Sequence, residues 1–485
     1  MIHNNLDILR NKKFDVVIIG AGPAGITLAI ELEKRSISTA LIEAGAKDYS
    51  EDSQNFYKGI VEGEFPRELS VSRLRMLGGT TGHWGGTCRT LDSYDFDKWP
   101  IKKKDLDPYL LKAASILNIK PEFNELKVSE DLKLIEFQTS DVRFGDKFYK
   151  NLEDSKFINL FLDLPVVKIK GEEQKVSSVE CHSKNFGEIE IKGNLFILAT
   201  GGIENSRILL LTKLHNKNLF NPDLPIGNYW YEHPFNHLGN AIVNENKLNN
   251  YLKNSLNKFQ NMFNFGDEST TYNFSPTKKL IQKENILNSC CFLTIIKRSN
   301  KNFKNIAKNV FCLAPEFSKN FLKLYNKKLQ LTCGVSITSS WEQEPDYYNR
   351  IELSKTDKDI FGLPLAKLIY KKSELVRKTA RVCMQEIGKF LVNNDLGRLS
   401  INKFLFEKNE KYLSEAGWHH LGGTVMGQNI NDSVVDGNLK IHGSKNMYVL
   451  GSSVFSTGGH ANPTLTIVQL ALRLSDTIIK NYKIS

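Results

Sequence analysis

Cysteine in any working pattern is missing from this 485-residue chain. Its seven cysteines (Cys88, Cys181, Cys290, Cys291, Cys312, Cys333 and Cys383) form no C-x-x-C pair and no Cys/His ligand spacing. That argues against a disulfide framework or a zinc site and fits a reducing compartment. Long apolar runs are missing too: the first, Phe14 to Ile19, is too short for a signal core or a span and carries Asp15. The expectation is a cytoplasmic protein, with peripheral membrane contact as the one membrane role left open. Apolar content of 41% and charged content of 25% are ordinary for a soluble enzyme, and the length suits one large domain or two interwoven ones.

Against that background the glycines stand out by position. Phe14 to Ile19 reads as a buried parallel strand and runs into Gly20-Ala21-Gly22-Pro23-Ala24-Gly25, then a helix, then a strand from Thr39 to Ile42 that ends in Glu43. The first glycine permits the tight turn, the second admits a pyrophosphate, and the third packs helix on strand. Glu43 is placed to take ribose hydroxyls. A lone G-x-G-x-x-G is weak evidence, but strand, turn, helix, strand and acid in this order are strong.

A second glycine-rich stretch, Gly78-Gly79-Thr80-Thr81-Gly82-His83-Trp84-Gly85-Gly86, excludes a regular helix or strand and reads as a loop that hugs something flat. A third block, Trp418-His419-His420-Leu421-Gly422-Gly423, is answered by Gly459-His460-Ala461-Asn462-Pro463-Thr464. Histidines exchange protons near neutral pH, as a general base must. Asn462-Pro463 is also an excellent start for the long apolar helix Thr464 to Tyr482.

Together the fingerprint, the loop and the two C-terminal blocks resemble the glucose-methanol-choline (GMC) family of FAD-dependent oxidoreductases, closer to its pyranose oxidase-like, sugar-oxidising branch. The resemblance covers about the first hundred residues, 165 to 235, and everything after about 335. It implies an α/β fold, with a Rossmann-like FAD domain (1–240 and 415–485) interwoven with a substrate domain (241–414) built on an antiparallel sheet with helices. His419, matching H-x-x-G, would be the base, and Asn462 would hold the substrate hydroxyl while flavin N5 takes the hydride. His420 and His460 would stand behind them, and His233 would be structural. Cofactor contacts would come from the fingerprint, Glu43, Gly79, Thr80, His83, Trp84, Val167, Gly451, Ser452, Asn462, Pro463 and Thr464. The positive end of the last helix would steady reduced flavin. Thr81-Gly82-His83-Trp84 is similar to the stretch through which pyranose oxidase attaches flavin covalently, but Gly82 departs from it, so noncovalent FAD is the expectation and a link through His83 the alternative.

The function expected is oxidation of a secondary hydroxyl on a sugar or sugar-like alcohol, with the electron acceptor left open. A nicotinamide-dependent reductase or monooxygenase would call for a second dinucleotide fingerprint, and only one is evident. A scaffold without catalysis would have no use for His419 and Asn462. Residues 241 to 330 carry fifteen Lys and Arg against five acids, a net of +10 within the chain's +11. Helical spacing around Phe303 to Val310 and Phe317 to Leu324 suggests a lid that packs an apolar stripe, and its charge raises phosphate-linked sugars or lipid headgroups as partners. No nucleic-acid-binding module accompanies it.

Overall fold

The computed structural model describes residues 12–183, 187–243, 247, 270–295, 335–407 and 415–482. Lys13–Ile19 forms the centre of a parallel sheet, since its apolar stretch from Val16 to Ile19 is buried on both faces. On one side it pairs with Thr39–Ile42 and then Ile158–Phe161; on the other with Gly187–Leu198, whose end pairs with Met447–Val449. The first half of Gly187–Leu198 also carries an antiparallel extension, Lys175–Ser183 followed by Val166–Glu172. The helices Pro23–Glu33 and Thr464–Tyr482 pack on each other over this sheet, within the largest apolar core.

A second, nine-stranded sheet is antiparallel throughout and runs Gly397–Ile401, Pro234–Val243, Val335–Trp341, Ser289–Ile295, Thr270–Pro276, Leu132–Thr139, Thr87–Cys88, with Glu415–Ala416 also pairing Pro234–Val243 and Glu125–Lys127 also pairing Leu132–Thr139. The amphipathic helix Glu374–Asn393 lays Val376, Ala380, Met384 and Ile387 on one face, making a separate core. The fold is therefore α/β, a Rossmann-like sheet joined to an antiparallel one.

Two expectations are corrected here. Arg350 to Leu353 and Leu365 to Tyr370 read from the sequence as strands of the antiparallel substrate sheet; instead, Arg350–Lys358 and Pro364–Tyr370 form a three-stranded sheet with Gly59–Gly63. Their buried Ile351, Leu368 and Tyr370 pack on Trp230 and Phe65, a small core next to the cofactor-side helix Gly201–His215. Within 241 to 330, the described part is not a lid: Thr270–Pro276 and Ser289–Ile295 are interior strands of the nine-stranded sheet. The stripes at 303–310 and 317–324 lie outside the described residues. Leu132–Thr139 and Thr87–Cys88 also belong to that sheet, so the stretch 1–240 contributes to both halves. Among the described residues, no helix is long and apolar enough to cross a membrane.

Candidate active site

One cavity of about 370 Å³ lies at the ends of Lys13–Ile19 and Thr39–Ile42, and its lining begins at the fingerprint with Gly20, Gly22, Pro23, Ala24 and Glu43. Gly20 has φ +104, and a side chain there would strike Ala199 O; Gly25 is closed against Gly20 O, which a Cβ would meet at 2.0 Å. Gly22 is different: a Cβ there would meet nothing within 4 Å, so its glycine keeps an approach open toward the cavity. The buried Glu43 carboxylate accepts from the Ala21 and Gly45 amides, both at 2.9 Å. Burial pushes its pKa up, and those amides work against the rise. The turn is thus locked from its acidic end, and the helix after it has no acid in its first turn to compete for an anion. Thr200 and Gly201 open the helix Gly201–His215 on the same wall, giving a second helix N-terminus. This cradle of backbone amides and open glycines fits the diphosphate and ribose of FAD, and Val167 lines the cavity.

The glycine loop lies along the cavity through Gly79, Thr80, Thr81, His83, Trp84, Gly85 and Gly86. Trp84 Nε1 donates to Val142 O at 2.9 Å, which pins its ring to the core, while the His83 ring is exposed and stands 6.2 Å from the Trp418 ring. Also on the cavity wall is a buried ion chain that sequence reasoning missed. Arg73 Nη1 meets Glu204 Oε1 at 2.8 Å, Arg207 Nη1 meets Glu204 Oε2 at 3.3 Å, and Arg207 Nη2 meets Asp359 Oδ2 at 2.7 Å. Burial works to raise the Glu204 pKa, yet Arg207 and Arg73 hold it below its ordinary value. Charge alone gave no signal, because the four residues come from three distant segments.

At the other end, His419 Nε2 lies 3.0 Å from Asn462 Nδ2, and both side chains are half-buried on the cavity wall. Burial depresses the His419 pKa to about 4, so the ring is neutral at physiological pH and able to accept a proton. His420 turns to the opposite side: Nε2 is 2.8 Å from Ser72 Oγ, and burial with the nearby Arg73 charge depresses its pKa to about 3. Strand-like alternation separates the two rings, since Tyr231 and Leu421 bridge antiparallel segments through reciprocal 2.9 Å backbone hydrogen bonds.

Two residues beyond the Tyr231–Leu421 bridge, His233 stands opposite His419, and their Nδ1 atoms are 2.9 Å apart. His233 is fully buried. Of the other expected residues, Gly451, Ser452, Pro463 and Thr464 line the cavity, while Gly25 and His460 do not. Gly25 packs helix on strand, and His460 is buried near Asp92 (Nδ1 to Oδ2, 3.8 Å) with neither ring nitrogen hydrogen-bonded. Burial takes its pKa down to about 3, against the pull of Asp92.

Comparison with known proteins agrees with this architecture. A family profile described as GMC oxidoreductase matches residues 345–471, and one described as FAD binding domain matches residues 13–55. The fructose dehydrogenase large subunit of Gluconobacter japonicus is 32% identical over 150 residues, which span 31% of this chain and 26% of that protein. The 2-methyl-1,2-propanediol dehydrogenase of Mycolicibacterium austroafricanum is 21% identical across 96% of this chain and 95% of its own. Among solved structures, pyridoxine 4-oxidase from Mesorbium loti superposes with a TM-score of 0.58 at 13% identity, covering 96% of this chain and 99% of that one. A formate oxidase superposes equally well, at 15% identity over 97% and 99%. With the dinucleotide cradle, the glycine loop and the C-terminal match on one cavity, the chain is similar to GMC oxidoreductases over residues 345–471 and is built to hold FAD.

Proposed function

We propose that the protein oxidises an alcohol to a carbonyl compound. The observation that carries the reading is the His419–Asn462 pair, at 3.0 Å, on the wall of the same cavity as the dinucleotide cradle. When bound, FAD supplies the acceptor for the carbon-bound hydride. His419 takes the hydroxyl proton, since its depressed pKa keeps the ring neutral before the reaction, and Asn462 orients the hydroxyl. A secondary hydroxyl of a sugar is the preferred substrate class, supported by the stretch similar to a fructose dehydrogenase and by Trp418. That residue is 37% exposed at the cavity, with φ +56, and offers an indole face for a sugar ring. The net charge of +10 in 241 to 330 supports a phosphate- or lipid-linked version of the substrate. The test is anaerobic bleaching of the flavin absorbance without NAD(P)H. D-Fructose, 2-methyl-1,2-propanediol and phosphorylated sugars are compared, and bleaching by none of a broad alcohol panel would sink the proposal. Cosedimentation with anionic but not neutral liposomes at low salt is expected if the charge engages lipid.

A further inference from the structure

If His419 is the base, as just proposed, its Nε2 must carry a lone pair when substrate arrives, and a neutral imidazole offers one nitrogen of each kind. We infer that His233 is a positioning residue that fixes this tautomer by accepting the His419 Nδ1–H, leaving Nε2 free for the hydroxyl proton.

Two facing Nδ1 atoms 2.9 Å apart share one proton, since two donors or two acceptors at that distance would repel. The rings meet edge-on, with centroids 5.0 Å apart and an interplanar angle of 86°. The proton sits either on His419, leaving Nε2 unprotonated, or on His233, forcing a proton onto His419 Nε2. The far side of His233 decides between them. Its Nε2 makes no aligned hydrogen bond but is packed on the Gly458–Gly459 turn, so closely that a Cβ at Gly458 would come within 2.7 Å of it. Burial lowers the ring's pKa and that backbone works against the drop, while the Asn462 amide nitrogen, able only to donate, makes His419 Nε2 the acceptor. A proton on Nε2 of the neutral His233 leaves its Nδ1 as the acceptor. His419 then holds its proton at Nδ1, and its Nε2 lone pair accepts from Asn462 Nδ2. The three side chains form one directional chain of hydrogen bonds.

The same arrangement serves the chemical step. As the substrate O–H breaks, its proton bonds to His419 Nε2. FAD, when bound, would supply the acceptor for the carbon-bound hydride and its electron pair, leaving the carbonyl. His419 is then an imidazolium, and its Nδ1–H bond to His233 becomes charge-assisted and stronger. His233 itself never touches the substrate. Full burial makes it a fixed acceptor, because charging its own ring is strongly disfavoured by desolvation.

The test uses holoprotein labelled with ¹⁵N-histidine, read by long-range ¹H–¹⁵N correlation, with His419 assigned from the His419→Gln spectrum. Protonated Nδ1 and unprotonated Nε2 on His419 are expected; the reverse tautomer overturns the inference. In parallel, flavin reduction is followed with whichever of D-fructose and 2-methyl-1,2-propanediol bleaches faster. His233→Leu should keep its FAD and substrate affinity while reduction slows on the order of a hundredfold. His233→Asn, whose Oδ1 can replace Nδ1 as acceptor, should recover most of that rate. Equal rates in all three proteins, or equal losses in the Leu and Asn variants, overturn the inference. If His233→Leu does not fold, the parental tautomer decides alone. If His419→Ala reduces at the parental rate, the base assignment fails, whereas the spectrum still reports who donates to whom.

Discussion

The two ends of the cavity are built from different material. The dinucleotide end is backbone: amides at Ala21 and Gly45 hold Glu43, and Gly20, Gly22 and Gly25 let main chain and cofactor approach. The other end is side chain: His419, Asn462, His233, His420 and Ser72 converge from four separated segments. A backbone site is sensitive to added atoms and indifferent to which side chains surround it. A side-chain site is sensitive to single nitrogens and hydroxyls.

Substitutions can sharpen this contrast, beginning with the largest effect. Gly25→Ala drives a methyl into Gly20 O and should destabilise the fold by about 3 kcal/mol or more, seen as low yield and an early thermal transition. His419→Ala should fold and retain FAD but slow its reduction about a hundredfold or more by stopped flow. If His420→Ala were the impaired variant instead, the assignment of the two rings would be reversed. Gly22→Ala separates the two meanings of a glycine at one end. With nothing within 4 Å of its Cβ, the fold should keep its thermal stability, while FAD affinity falls on the order of tenfold or more by titration of apoprotein. Equal destabilisation by Gly22→Ala and Gly25→Ala would erase the distinction.

The side-chain end should also register in acid. His420 has a folded pKa near 3 against an unfolded value near 6.5, so its contribution to stability is complete above that upper value. As the pH falls below it, the unfolded chain takes up the proton first, and stability declines until the folded ring charges too. Its share is at most about 1.4 kcal/mol per pH unit. Buried carboxyls raised by desolvation, Asp95 and Glu342, act in the opposite sense, so the check is a difference. His420→Gln, able to keep a bond to Ser72, should flatten denaturant-unfolding stability between about pH 6 and 3 relative to the parent. The smallest effect concerns attachment: the exposed His83 should release all its FAD on denaturation, and flavin fluorescence left on the polypeptide would establish the covalent link.

What the sequence determined by itself is the part that local order can encode. Strand, glycine turn, helix, strand and Glu43 follow one another within thirty-odd residues, so their geometry is written in consecutive conformational preferences. The Asn462-Pro463 start and the apolar helix Thr464–Tyr482 were legible for the same reason. Tertiary structure alone decided the pairings. Nothing local says that Arg350–Lys358 would leave the large sheet for Gly59–Gly63, or that Arg73, Glu204, Arg207 and Asp359 would neutralise one another. Nor does it say that His233 would face His419 across 186 residues of chain. A side chain at the start of a strand reads as structural until register is known, because its chemistry depends on the residue opposite, and strand register is settled by packing over the whole sheet.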